Sequence, residues 1–147
     1  MSPTSLSRFM PMRLVIVPKN ELSDEQRRYL KERLAAPEHR NDKGPAHVWN
    51  TSRAFLYAFI DKELNLPIAI AEASGRPLAT PAWWVDSKFR SQGYGNEVVD
   101  LLAEFLKTDG VTDIGAIQIE SYCNEYDEQS IRLARRIRSR FAEAEDS

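Results

Sequence analysis

The sequence predicts an α/β (α+β) fold, a mixed, mostly antiparallel central sheet with helices on both faces. Five short apolar runs bounded by Pro, Gly, Asn or Asp indicate strands, and longer segments with apolar residues at helical spacing indicate helices. Their order along the chain is β-α-β-β-β-α-β-α. A mixed sheet with helices packed on both faces is the simplest arrangement of these elements. The 147 residues fit one domain.

We expect residues 1–12 to be a flexible leader and residues 13–147 to form the single domain. The leader is rich in Ser and Pro and has no periodicity. Because Met10 and Met12 lie just before the first strand, translation can start at Met1, Met10 or Met12, and the sequence does not distinguish between them.

The first third of the domain contains one strand and one helix. Arg13–Val17 is a β-branched run that predicts strand one. Ser23 predicts the N-cap of the first helix, with Gln26 as its capping-box partner, and Pro37 ends that helix. We expect residues 37–51, which are polar and contain both histidines, to form a long loop with a short helical turn.

The middle of the chain predicts three consecutive strands. Arg53–Ile60 and Pro67–Ala73 should form an antiparallel hairpin, and Thr80–Val85 should be strand four. We expect Pro81 at a frayed strand start, because proline has no N–H for a ladder. Trp83 and Trp84 point to opposite faces, so one should lie in the core and the other at the floor of a pocket.

The remainder predicts a helix, a strand and a helix. Asn96–Lys107 has a strong apolar stripe and Gly110 as its stop, Ile114–Ile119 is strand five, and Glu125–Ala144 is the last helix. The last helix also carries a row of five arginines. A solvated face is the first interpretation of this row, and a clamp for a ribose phosphate or a nucleic-acid surface is the alternative.

Composition argues against several classes of protein. The net charge of −2 does not favour nucleic acid, and the short apolar runs do not suit a membrane span. With Cys123 as the one cysteine there is no internal disulfide, which favours a cytoplasmic protein. His39 and His47 lack further ligands at suitable spacing, so we expect no metal.

The most informative segment runs from Val85 to Gly95, between strand four and the helix that follows. Gly93 and Gly95 let bare backbone approach a ligand, and the free N–H groups at a helix start attract an anion. Arg90 adds a positive charge. A diphosphate is the predicted ligand, and a turn that merely starts a helix is the plain alternative.

This segment resembles the coenzyme A loop of the GNAT superfamily of N-acetyltransferases. The family form is Val-x-Pro-x-Tyr/Phe-Arg-x-x-Gly-x-Gly/Ala, and Ser87 stands here in place of the proline. The element order matches from Arg13 to Phe141, but only Val85–Leu102 is specific at residue level. The resemblance implies acetyl-CoA as co-substrate, with main-chain groups of Trp84 and Val85 along the pantetheine arm. It implies a pyrophosphate site made of Arg90, Ser91, Gln92, Gly93, Tyr94, Gly95 and Asn96.

The resemblance is weaker for the catalytic groups. Many family members protonate the leaving thiolate with a tyrosine on the last helix, and that position falls on Ala134 here. Tyr122 or Tyr126, near the end of strand five, can substitute as the acid. Glu120 and Glu72 are the candidate general bases, because burial in an apolar strand raises a carboxylate's pKa. An ordered water is a further alternative for the base.

The resemblance implies an acyl-CoA-dependent N-acyltransferase that acts on a primary amine of a small molecule or protein by direct attack in a ternary complex. A catalytically silent acyl-CoA-binding or regulatory module and a nucleic-acid-directed family member are the alternatives. Family members commonly add two strands after the last helix, whereas this sequence stays helix-like. We therefore expect a second copy, another protein or the leader to cover the edge of strand five.

Overall fold

The computed structural model describes residues 12–42, 44–51, 55–115 and 128–143. The strands are β1 (Leu14–Pro18), β2 (Leu56–Asp61), β3 (Leu66–Ser74), β4 (Leu78–Val85) and β5 (Asp113–Ile114). The helices are α1 (Asp24–Leu34), α2 (Pro45–Val48), α3 (Tyr94–Thr108) and α4 (Glu128–Glu143). Short 3-10 turns cover Lys19–Glu21, Pro37–His39 and Ser87–Phe89.

The five strands form one sheet in the order β1-β2-β3-β4-β5. The first four strands pair antiparallel with their neighbours, and β5 pairs parallel with β4. The predicted mixed, mostly antiparallel sheet and its element order are confirmed. The expected short helical turn before strand two is α2.

Helices cover both faces of the sheet, as predicted. Phe59 and Trp83 belong to the core cluster that includes residues of α3 and α4, whereas Ala58 and Trp84 belong to the cluster that includes Leu30 of α1. Adjacent residues fall in different clusters because side chains alternate across a strand. Each fully buried large apolar side chain contributes about 1.5–3 kcal/mol, so both faces hold the fold together.

The first helix starts as the sequence predicts. The Ser23 hydroxyl accepts a hydrogen bond from the Gln26 N–H (3.1 Å), and the Gln26 side-chain oxygen accepts one from the Ser23 N–H (2.9 Å). This reciprocal capping box satisfies two N–H groups at the helix start, where the helix itself has no acceptors for them.

The start of β4 corrects the sequence prediction. The strand begins at Leu78, so Pro81 lies inside it, opposite Ala73, and not at a frayed end. The Asp86 N–H donates to Ile68 O (2.9 Å). The main-chain N–H and C=O groups of even-numbered β4 residues therefore point toward β3, and those of odd-numbered residues point away from it. The nitrogen of Pro81 therefore faces the side where the described part of β5 pairs only with Leu78 and Ala79. No ladder hydrogen bond to the described residues is lost.

Helix α3 begins at Tyr94, two residues before the predicted start, because Gly93 in the left-handed conformation (φ +83°) serves as its N-cap. Gly110 follows its end with φ +89°, as expected of a C-terminal stop. Strand five is described only at Asp113–Ile114, at the sheet edge, and the rest of its predicted range lies outside the described residues. A cover for this edge stays a prediction.

The arginine row of α4 is not simply a solvated face. Arg136 and Arg140 both donate to the carboxylate of Asp100 on α3, at 2.8–3.0 Å. Arg138 donates to the carbonyl oxygens of Ile114 and Gly115 at 3.1 and 3.0 Å. Sequence periodicity separates apolar from charged positions, but it does not show that a charged position faces a partner on another element. Three of the arginines join α4 to the rest of the fold.

None of the described helices has the length and apolar character needed to cross a membrane.

Candidate functional site

The turn from the end of β4 into α3 contains the predicted loop, and we call residues 85–96 the β4–α3 corner. Gly93, which is exposed, caps α3 without any side-chain hydrogen bond to the helix. The first N–H groups of an α-helix have no acceptors within the helix. They and the positive end of the helix dipole therefore favour an anion at this corner.

The two glycines of the corner serve different purposes. A Cβ built on Gly93 would meet only the Arg13 Nη2 atom, at 3.4 Å, whereas one on Gly95 would lie 3.1 Å from the Leu133 Cδ1 atom. Gly95 thus permits close packing of α3 against α4. Of the two, Gly93 is the one that leaves the backbone open.

Arg13, just before β1, packs against the corner, and no local sequence pattern predicts this contact. Its guanidinium lies 3.7 Å from the centre of the Tyr94 ring and donates to the Gln92 carbonyl oxygen at 3.1 Å. It forms an ion pair with Glu97, whose carboxylate also accepts from the Arg13 N–H at 2.7 Å. Arg13 thereby neutralises the one acidic side chain in the first turn of α3.

The side chains within the corner mostly hold its shape. The Tyr94 hydroxyl donates to the buried carboxylate of Asp61 at 2.8 Å. The Gln92 side-chain nitrogen donates to the Lys88 carbonyl oxygen at 3.0 Å. Ser91 has a positive φ of 63°, and the side chain of Asn96 is exposed. Any contact from Tyr94 to a ligand would therefore come from its main chain.

Arg90 is fixed by two acceptors. Its Nε donates to the Val85 carbonyl oxygen (2.7 Å), and its Nη2 donates to the Asp42 carboxylate (3.2 Å). The guanidinium thus lies across the end of β4 with about half of its side chain exposed. Its position is therefore fixed, and its charge is paired with that of Asp42.

The edge of β4 along which the pantetheine arm is predicted to lie is formed by main-chain groups of odd-numbered residues. By strand alternation, the main-chain groups of Trp84 face β3, while those of Trp83 and Val85 face the opposite edge. The Val85 carbonyl oxygen already accepts a hydrogen bond from the Arg90 Nε–H group. The Trp83 and Val85 N–H groups and the Trp83 carbonyl oxygen therefore lie on the edge where an extended ligand would pair. Both tryptophan side chains are buried, so neither is exposed as a pocket floor.

A buried carboxylate, Asp86, anchors the corner to the rest of the fold. Asp86 is fully buried, and Arg33 of α1 donates to its two oxygens at 2.8 and 2.9 Å. The Lys88 N–H also donates to Asp86, at 3.1 Å. Bidentate pairing of this kind fixes both side chains. No local sequence pattern predicts this pair, because its members lie 53 positions apart.

His39 extends this network. Its Nδ1 atom lies 2.7 Å from the Asp42 carboxylate, and its Nε2 atom lies 3.3 Å from both Asp86 Oδ1 and the Ser87 nitrogen. The Trp84 indole N–H donates to the same Asp42 oxygen at 2.7 Å. The polar segment before α2 therefore packs against the end of β4. The i,i+3 spacing of His39 and Asp42 was the available sequence signal for this contact.

The two carboxylates of the network are held ionised. Burial would raise the pKa of Asp86, but hydrogen bonds from Arg33, the Lys88 N–H and His39 outweigh burial, so its pKa lies below the ordinary value. Burial would also raise the pKa of Asp42. Hydrogen bonds from His39 and Trp84 and the charge of Arg90 outweigh burial, so the pKa of Asp42 also lies below its ordinary value. The corner therefore contains firmly paired charges.

The candidate catalytic groups divide into two sets. Glu72 lies in β3, half-buried, opposite Ala82 of β4, so it is within the sheet near the middle of β4. Glu120, Tyr122 and Tyr126 lie outside the described residues. In the described part of the chain, no group of three or more His, Cys, Asp or Glu side chains is arranged to hold a metal ion.

The chain has a distant likeness to a known protein of solved structure. No protein-family model and no curated protein matches the sequence. Among solved structures, the chain is similar to an aminoglycoside acetyltransferase from an uncultured soil metagenomic sample, in complex with sisomicin. The identity is 18% over 83% of this chain and 84% of that chain, with a TM-score of 0.49. At this distance the likeness carries no argument about function.

Proposed function

We propose that the protein is an acyl-CoA-dependent N-acyltransferase that uses acetyl-CoA and a primary amine. One observation carries the proposal: exposed Gly93, in the left-handed conformation, opens the 15-residue helix α3 after the loop that follows β4, with no side-chain cap. The Val85–Leu102 resemblance to the GNAT coenzyme A loop supports the same conclusion.

The corner offers a diphosphate several donors of different kinds. N–H groups of Gly93, Tyr94, Gly95 and Asn96 lie at the helix start, and Arg90 contributes a half-exposed guanidinium that also pairs with Asp42. Because Arg13 neutralises Glu97, the helix start does not present an unpaired acidic group of its own. A negatively charged ligand would therefore not be repelled by the first turn.

The edge of β4 that faces away from β3 supports the second half of the proposal, because beyond Ala79 it has no strand partner among the described residues. The Trp83 and Val85 main-chain groups point to that edge, next to the corner. An extended amide-containing arm can pair with such an edge as an added strand does. We propose that the pantetheine arm lies here, with the thioester further toward the start of β4.

The reaction forms a C–N bond and breaks a C–S bond. The neutral amine attacks the thioester carbonyl, loses a proton to a base, and the departing thiolate takes up a proton. Deprotonating a lysine-like amine costs roughly 4.6 kcal/mol at pH 7, so the base matters most. Among the described candidates, we propose Glu72 for that role, and Glu120, Tyr122 and Tyr126 remain proposals for base and acid.

A pair of charge-adding variants tests the proposal without disturbing the fold. Asn96→Glu and Thr112→Glu each add one negative charge at an exposed position, the first in the corner and the second beyond the other end of α3. A carboxylate in the first turn of a helix stabilises the helix by about 0.3–1 kcal/mol. Asn96→Glu should therefore fold well and still repel a diphosphate.

The measurement is the melting temperature with and without acetyl-CoA. We expect acetyl-CoA to raise it in the unaltered protein and in Thr112→Glu, and to have little effect on Asn96→Glu. If neither acetyl-CoA nor free coenzyme A changes the melting temperature of the unaltered protein, the proposal is wrong. Binding without thiol release in the presence of amines would instead identify a silent binding module.

A further inference from the structure

A second cleft lies at the end of the sheet opposite the β4–α3 corner. It occupies about 750 Å³ between the end of β1, the start of β2, α1 and the C-terminal end of α3. Tyr57, at the start of β2, lines it, whereas Asp61, at the end of β2, contacts the corner through Tyr94. The volume falls in the range of about 300–1,000 Å³ that is usual for small-molecule sites.

Three cations line this cleft: Lys19, Arg27 and Lys31. Arg27 and Lys31 are one turn apart on α1, so their like charges repel. The Lys19 ammonium donates to the carbonyl oxygens of Trp49 and Thr51. Burial lowers the pKa of Lys19, and repulsion from Arg27 lowers it further. The protein thus concentrates positive charge here.

The described residues supply no counter-charge for these cations. Asp109 is the acidic residue of the cleft lining, and its carboxylate is already bound by Arg76 at 2.8 Å. None of the three lining cations pairs with a carboxylate of the described chain; the Arg27 guanidinium donates to the Asn20 carbonyl oxygen. An anion entering the cleft would relieve the repulsion.

The cleft also has aromatic walls: Trp49, Phe55, Tyr57 and Phe105. Phe55 has a positive φ of 64° and remains 42% exposed, an uncommon conformation for a bulky residue. The Arg76 guanidinium lies 4.7 Å from the centre of its ring and donates to the Tyr57 hydroxyl (3.4 Å). Arg76 thereby holds two of these rings in place beside open space.

We propose that this cleft binds a small organic anion that carries an aromatic ring. The ring packs against the exposed face of Phe55 and its aromatic neighbours, and the anionic group lies between Arg27 and Lys31 on α1 and Lys19 below them. This site shares no residue with the β4–α3 corner. The inference therefore goes beyond the proposed acyltransferase activity and does not depend on it.

Three probes separate the two parts of the recognition. Phenyl phosphate has both the ring and the anion, inorganic phosphate has only the anion, and benzyl alcohol has only the ring. In a titration followed by amide and indole NMR signals, phenyl phosphate should shift the Trp49 indole and bind about tenfold more tightly than either fragment. Equal binding of phenyl phosphate and inorganic phosphate, or an unmoved Trp49 indole, would overturn the proposal.

Neighbouring arginines provide the matched control. Arg27→Gln and Lys31→Gln should each raise the Kd of phenyl phosphate about fivefold. Arg28→Gln removes the same charge from the next exposed position of α1, which does not line the cleft, and should change the Kd by less than about twofold. An equal loss in Arg28→Gln would show non-specific attraction and contradict the assignment. Asn96→Glu should leave this Kd unchanged, which separates this result from the acetyl-CoA test.

Discussion

The two ends of the sheet differ in whether their charged side chains have partners of opposite charge. At the β4–α3 corner the carboxylates of Asp86 and Glu97 are paired with Arg33 and Arg13, and the donors at the helix start are main-chain N–H groups. At the opposite cleft, Lys19 and Arg27 have only neutral oxygens as described acceptors. Paired side chains build a rigid frame, whereas uncompensated groups are the ones that attract a ligand. The two ends therefore suit different anions.

The largest expected effect comes from breaking the paired end. Asp86→Ala leaves the Arg33 guanidinium, whose side chain is 13% exposed, without its main partner. Removing one member of a buried ion pair costs about 3–5 kcal/mol. Urea unfolding should show this loss, and Asp109→Asn, which opens a more exposed pair with Arg76, should cost less than about 1 kcal/mol. Equal losses would show that Asp86 does not anchor the corner.

Acid should act through the same paired carboxylates. The pKa values of Asp86 and Asp100 lie below their ordinary values, since hydrogen bonds from arginines outweigh burial. Their stabilisation is therefore complete above the unfolded pKa of about 3.9 and is lost as pH falls through the lower folded value. Each group adds up to about 1.4 kcal/mol per pH unit to the slope of the free energy of unfolding against pH.

Urea unfolding between pH 7 and pH 2.5 measures this slope. Asp100→Asn should make the decline below pH 4 shallower, because its contacts with Arg136 and Arg140 no longer depend on protonation. A decline that is equally steep in this variant would show that Asp100 carries no linked proton.

The smallest expected effect is at the cleft. Lys31→Gln and Arg28→Gln should each change the free energy of unfolding by less than about 0.5 kcal/mol, as exposed positions usually do. Losses above 2 kcal/mol would place Lys31 in the structural frame and remove the contrast between the two ends.

The sequence predicted the elements better than the contacts between them. Apolar spacing and the Ser23 capping box identified α1, α3 and the order of elements along the chain, because these depend on near neighbours. Pro81 was misplaced because a single sequence does not show which edge of β4 its nitrogen faces.

The corner was predicted in part for the same reason. The open helix start at Gly93 is a local property of the Gly-rich loop. The packing of Gly95 against Leu133, the Arg13–Glu97 pair and the Asp86 network require the folded chain to bring distant segments together. These contacts have no local sequence signal.

The most direct test of the central claim is an NMR titration of the backbone amide signals with coenzyme A. If the helix start binds the diphosphate, the largest shifts belong to Gly93, Tyr94, Gly95 and Asn96, and those at the start of β2 stay small. If coenzyme A leaves these four amides unmoved, the β4–α3 corner is not a diphosphate site and the account is contradicted.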